Sequence, residues 1–166
     1  TPYLHKRDID EGGYYKFMQY NFNQKTKTVS SLMRKKNSKG EFWEEKKTFS
    51  IGNNTNDLVT TLYQLRNLDI SQAKTNDTSK FTILFDKKEF TVHVKLLGTE
   101  TISTALGKKE CYKLSISLPK NDELGKNSDF LVWLTADANK IPVYGKFKIP
   151  VGNGELKIKS ATGLMH

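Results

Sequence analysis

Three observations predict a mainly β chain, built as a curved antiparallel sheet of about eight to ten strands, half-barrel-like, with one helix packed on its concave face. Polar and apolar residues alternate with a period of two from Tyr14 almost to the end of the chain. Turn-forming clusters of Gly, Asn, Asp and Lys separate these runs at hairpin spacing. A single stretch, Asp57 to Leu68, carries helical periodicity instead.

Taken in order, Thr1 to Gly13 is polar and is expected to be loose. Tyr14 to Phe22 sets Tyr14, Lys16, Met18, Tyr20 and Phe22 against Tyr15, Phe17, Gln19 and Asn21, which predicts a strand. Asn23 to Lys27 turns the chain into a second strand, Thr28 to Lys36, carrying Val29, Leu32 and Met33. Asn37 to Gly40 turns it again into Glu41 to Ser50, where Trp43, Glu45 and Lys47 share one face. Gly52 to Asn56 breaks the alternation. Asp57 is placed to cap a helix of about three turns whose stripe is Leu58, Leu62 and Leu65. That stripe needs an apolar partner, and a sheet face is the only large one available. Arg66, near the helix end, is expected either to satisfy the helix terminus or to meet a ligand anion.

A polar connection, Asp69 to Ser79, leads to a hairpin of Lys80 to Phe85 and Glu89 to Leu97 across Asp86-Lys87-Lys88. Phe90, Val92, Val94 and Leu96 share one face of its second strand. Cys111 to Leu118 follows with Tyr112, Leu114, Ile116 and Leu118 inward, and Pro119 to Ser128 is a polar loop. The last third is a three-stranded meander. Its first run is Phe130 to Thr135, and Asp137-Ala138-Asn139-Lys140 supplies an Asx turn. The second run is Ile141 to Val151, with Phe147, Ile149 and Val151 on one face. Gly152-Asn153-Gly154 then turns into Glu155 to Lys159. Pro142 and Pro150 each remove a ladder donor, so the middle run is either bent at a bulge or bounded at those residues.

This closing segment, with Trp133, Leu134, Asp137, Ile141, Pro142, Val143 and Gly152, resembles the signature of a bacterial family, domain-of-unknown-function family 3108. Asp57-Leu58-Val59-Thr60-Thr61-Leu62-Tyr63-Gln64-Leu65-Arg66 is a second match, with Thr60 where the family has serine, and His5 to Asn23 is a weaker third. The motifs are structural rather than catalytic. The resemblance implies an exported protein, periplasmic or otherwise in the bacterial envelope. It also implies that a signal and the family's first strands precede Thr1, so that the chain corresponds to the family's C-terminal portion.

With 166 residues, nine Phe, seven Tyr and two Trp, the chain is expected to form a single β-rich domain, 1–166, with a real core. The formal charge of +9 raises a nucleic-acid reading, but the lysines are scattered along polar strand faces, as edge-protected sheets scatter them. Only Arg34-Lys35-Lys36 with Lys39 clusters. No nucleic-acid partner is expected. The single Cys111 excludes a disulfide-stapled fold.

Catalytic patterns are missing. No HExxH, Cys/His cluster or Gly-x-Ser-x-Gly elbow surrounds His5, His93, His166 or the serines, and Glu44 and Glu45 point to opposite sheet faces. The expectation is therefore a non-enzymatic envelope protein without cofactor or metal, binding an apolar ligand or a lipid-modified protein and touching the envelope peripherally. The alternative is a structural or protein-interaction module whose core is filled by its own side chains. Sheet-plus-helix outlines of this kind resemble periplasmic lipoprotein carriers, an analogy of fold alone. The bulky residues expected to line a ligand wall are Trp133, Tyr112, Phe147 and Tyr20. The sequence leaves open which face of each strand turns inward, and it leaves the oligomeric state open.

Overall fold

The structure, a computed structural model, describes residues 2–37, 39–117, 129–149 and 152–164. Among the described residues the chain is mainly β with one α-helix, as the alternation predicts, but its strands form two sheets rather than one. It divides into two compact units, Thr1–Thr60 with Thr82–Glu89, and Thr61–Phe81 with Phe90–His166.

The first sheet has the order β1-β2-β3-β4, from Leu4–Glu11 (β1), Tyr14–Asn23 (β2), Thr28–Lys36 (β3) and Phe42–Ser50 (β4), all antiparallel. β1 corrects the expectation of a loose N-terminal stretch. Polar alternation carries little local signal, but the ladder to β2 needs only backbone groups, and it runs unbroken from Leu4↔Asn21 to Glu11↔Tyr14. Gly12 and Gly13, at φ +52° and +87°, make the two-residue turn that both positive angles require. Met18, Tyr20 and Phe22 on β2 face Val29 and Met33 on β3, and Phe49, Ile51 and Leu84 complete this core.

The second sheet has the order β11-β10-β9-β8-β7-β6-β5 and curls as a half-barrel does. Its strands are Thr55–Asn56 (β5), Thr78–Phe85 (β6), Lys88–Thr104 (β7), Gly107–Ser117 (β8), Asp129–Thr135 (β9), Pro142–Ile149 (β10) and Gly152–Lys157 (β11). β5 runs parallel to β6, so the sheet is mixed and not purely antiparallel as expected. β7 continues seven residues past its expected end at Leu97. It does so through a register shift between Leu96 and Gly98, where Gly98 sits at φ +138°. Beyond this bulge the long β7–β8 hairpin closes at Thr104↔Gly107.

The meander holds. Asp137 accepts hydrogen bonds from the Thr135 hydroxyl (2.7 Å) and from the backbone N–H groups of Asn139 and Lys140 (3.0 Å each), the Asx turn read from sequence. Burial opposes ionisation of Asp137, but these bonds outweigh it and hold its carboxyl below the usual range. Pro142 both opens β10 and adjoins a register shift that leaves Val143 as the extra residue. Gly152, Asn153 and Gly154 belong to β11 rather than to a turn, since they pair with Ile149, Lys148 and Phe147. The expectations for Pro119 to Ser128, Leu118, Pro150, Val151 and His166 fall outside the described residues.

Gly154 has a packing role. The Phe147 ring stacks on Phe130 at 5.5 Å and lies over the α-carbon of Gly154, its cross-strand partner. An alanine methyl there would collide with the ring. Gly154→Ala is expected to lower the urea midpoint, costing about 1–3 kcal/mol as the Phe130–Phe147 stack shifts. An unchanged midpoint would show that the ring is free to swing away.

Candidate functional site

The helix α1, Leu58–Leu65, starts at the expected cap. Asp57 is buried, and its carboxylate accepts from the N–H groups of Val59 (2.8 Å) and Thr60 (2.9 Å) and from the Thr60 hydroxyl (2.7 Å). His5 Nδ1 lies 3.5 Å from the same carboxylate. Regular α-helix ends at Leu65, three residues short of the expected Leu68. The last turn is tightened by i→i+3 bonds from Arg66, Asn67 and Leu68 to Tyr63, Gln64 and Leu65. The Arg66 Nε donates to the Asn139 carbonyl at 2.8 Å and pins the helix end to the β9–β10 turn.

The predicted stripe is only partly buried. Leu65 and Thr61 are enclosed, Leu62 is half-buried, and Leu58, Val59 and Tyr63 are exposed. Leu62 looks onto β9, β10 and β11, and with them it lines a half-open cleft of about 230 Å³. Phe130, Val132, Pro142, Leu156 and Ile158 supply apolar wall, while Lys157 and Tyr144 border the cleft, the Tyr144 ring itself lying against Trp133 on the other face. Gly145 lies at the floor, where an added Cβ would come into ordinary contact with Leu156 at 3.6 Å.

The four residues expected to share a ligand wall do not lie on one face of one sheet. The β8–β9–β10 register puts Tyr112, Leu134, Phe130 and Phe147 on one face of the sheet and Trp133 on the other. Phe147 approaches the cleft through its stack on Phe130, and Tyr112 stands opposite Leu134 on that same face. Trp133 is buried among Cys111, Val143 and Tyr144, with its ring centroid 4.9 Å from that of Tyr144, and its indole N–H donates to Glu100. That bond, together with Lys113, keeps the Glu100 carboxyl below its usual range. Tyr20 belongs to the core of the first sheet. Burial, and next the charge of Asp86, push its hydroxyl up to about 12. The hydroxyl has no well-aligned partner, although the Lys87 backbone lies close.

Cys111 is fully buried, its thiol pushed up by burial first and then by Asp137 and Glu100, while His93 is exposed opposite Ser117. Among the described residues no group of three or more His, Cys, Asp and Glu is placed to hold a metal ion, and no helix is long and apolar enough to cross a membrane. Sequence reasoning missed the Leu62–Leu156 juxtaposition, because it depends on the strand order. It also missed a second half-open cleft of about 430 Å³, where Leu68, Ile70 and Ala73 face Val94, Leu96 and Leu114 under a rim that includes Asp69 and Asp77.

The geometry defines a class: a mainly β protein whose short helix and curled mixed sheet leave an apolar, half-open cleft between them. The family model described as a protein of unknown function, DUF3108, matches residues 1–159, nearly the whole chain, and the chain belongs to that family. No curated protein and no solved structure matches it.

Proposed function

We propose that the protein is a non-enzymatic, exported envelope protein that binds an apolar ligand or a lipid-modified partner in the cleft between α1 and β9–β11. The observation that carries this reading is the cleft wall itself: Leu62, Phe130, Val132, Pro142, Leu156 and Ile158 around an open volume, with Leu156 left 52% exposed. Apolar area kept uncovered in this way gains free energy from an apolar guest. The volume falls below the roughly 300–1,000 Å³ of pockets for whole small molecules, which suits the end of an acyl chain. Export and an envelope location rest on the family resemblance of the Trp133–Gly152 segment.

The test is titration of a fluorescent fatty acid at low and high salt, with Leu62→Trp to fill the cleft. Saturable binding that survives salt, and is lost in Leu62→Trp at unchanged melting temperature, is the expected result. Binding abolished by salt would move the ligand to the lysine-rich surface, and no saturable binding would overturn the reading. Trp133→Ala reports on packing rather than on this wall, since Trp133 lies on the opposite face.

The interaction-module reading also has an observation in its favour. β4 is the last strand of its sheet, and it carries Phe42 at 67% and Trp43 at 48% exposure. Its Glu44, Glu45, Lys46 and Lys47 are the charges that protect an edge from indiscriminate pairing, so any partner there would have to be specific.

A further inference from the structure

The basic run Arg34-Lys35-Lys36 is split by the strand it lies on. Arg34 faces outward and binds Glu44 at 2.6 Å, and the Lys36 ammonium rests 5.7 Å from the Phe42 ring centroid. Lys35 turns to the opposite face, the one that buries Met18 and Met33, and there it stands directly across from Lys16. Like charges directly opposite on one sheet face repel and destabilise the pair. The Asp86-Lys87 turn, with φ +43° and +69°, brings a third ammonium, Lys87, onto Glu45, which shares the Lys35 face two residues along β4 from Trp43. Arg7 joins from β1, one row further along, where it pairs with Met18.

The carboxylates present do not balance this charge. Asp86 is shared by Arg7 at 2.6 Å and Lys16 at 3.5 Å, and Glu45 is shared by Lys87 and Lys47. Among the described residues Lys35 has no acidic partner. The side chains of Lys16, Lys87 and Arg7 are only 15%, 23% and 28% exposed, so water screens their repulsion incompletely. Burial, followed by the repulsion of Lys35 and Lys16, lowers the affinity of Lys87 for its proton. The site stays open beside Lys35, where the half-exposed Trp43 is its cross-strand neighbour.

We propose that Lys16, Lys35 and Lys87 form a binding site for a phosphate group, either free or carried by a lipid headgroup. Three ammonium groups arriving from two strands and a turn suit an anion of more than one charge with several acceptor oxygens. Lysine serves such an anion as a point charge and needs no planar fork. Trp43 offers an apolar surface beside the anion, as the glycerol and upper acyl region of a phospholipid would use. The site shares no residue with the α1 cleft, and its test does not depend on that cleft.

The experiment compares the melting temperature of the full chain in inorganic phosphate and in chloride of equal ionic strength. It is paired with co-sedimentation on phosphatidylcholine vesicles with and without phosphatidic acid. Phosphate is expected to raise the melting temperature beyond chloride. Lys16→Met and Lys35→Met, which keep the apolar stems, should each weaken phosphate binding about tenfold or more, the loss of one charge-assisted contact. In chloride alone Lys35→Met should melt no lower than the parent, because it relieves a repulsion and breaks no ion pair. A purely structural lysine would not show that. Sedimentation with phosphatidic acid that free phosphate competes away assigns the group to a lipid headgroup. A melting response without sedimentation assigns it to free phosphate. Equal stabilisation by phosphate and chloride would overturn the proposal. So would a phosphate response that persists in both variants, or binding to oligonucleotides without any response to phosphate.

Discussion

Leu65→Ala is expected to lower stability by about 2–5 kcal/mol, the largest single-residue effect foreseen in α1. Leu65 is fully enclosed at the end of the regular helix, where the chain tightens into i→i+3 bonds and Arg66 ties it to the Asn139 carbonyl. Truncation there leaves a cavity that the pinned helix end cannot collapse to fill. Leu62→Ala should cost clearly less, because its side chain is already half in the open cleft and loses fewer contacts. Periodicity alone makes the two leucines equivalent, so the difference between their urea midpoints is itself informative. Equal midpoints for the two variants would mean that the cleft is closed in solution, and no loss in Leu65→Ala would remove the helix from the core.

Replacing Asp57 is expected to show a second large effect, visible as a dependence on pH. Burial by itself would raise the Asp57 carboxyl. The hydrogen bonds from His5 and from the Thr60 amide and hydroxyl outweigh it and hold the value at about 2, below the ordinary 3.8. A carboxyl lowered by folding adds stability that is fully present above its unfolded value. That stability is lost as pH falls through the folded value, so the window lies between about pH 5 and pH 2. The group should contribute about 2 kcal/mol at neutral pH, all of it lost by strong acid. Asp57→Asn keeps a capping oxygen but removes the titration, so its stability should fall less steeply across that window. Asp57→Ala should lose about 1–2 kcal/mol at pH 7 through the missing cap. Denaturant midpoints from pH 7 to pH 2 for the three proteins check this, and parallel profiles for parent and Asp57→Asn would contradict it.

Most elements could be read from the chain because their causes are local. Alternation marked β2, β3, β4, β8 and the meander, the Asp57 side chain announced the helix start, and Asp137 announced the β9–β10 turn. β1 was missed because a polar strand is held by its ladder to β2 rather than by side chains with a readable pattern. Of the expected wall residues, Tyr112 and Phe147 share a face with Phe130, while Trp133 and Tyr20 do not. Period two orders side chains within a strand. It says nothing of which face meets the helix, and the register shifts at Leu96/Gly98 and Pro142/Tyr144 change the parity along β7 and β10.

By itself the sequence determined the mainly β class, the helix α1 with its cap, and the family through the Trp133–Gly152 segment. Each of these depends on residues a few positions apart, where backbone geometry and hydrogen bonding are settled locally. The tertiary structure alone decided the split into two sheets, the parallel β5–β6 pair, the cleft that joins Leu62 to Leu156, and the meeting of Lys16 with Lys35 and Lys87. These depend on strand order and on contacts across long separations, such as the sequence separation of 79 from Arg7 to Asp86. No local pattern encodes them, because the energy that selects them arises only when distant strands pair and distant charges share one face.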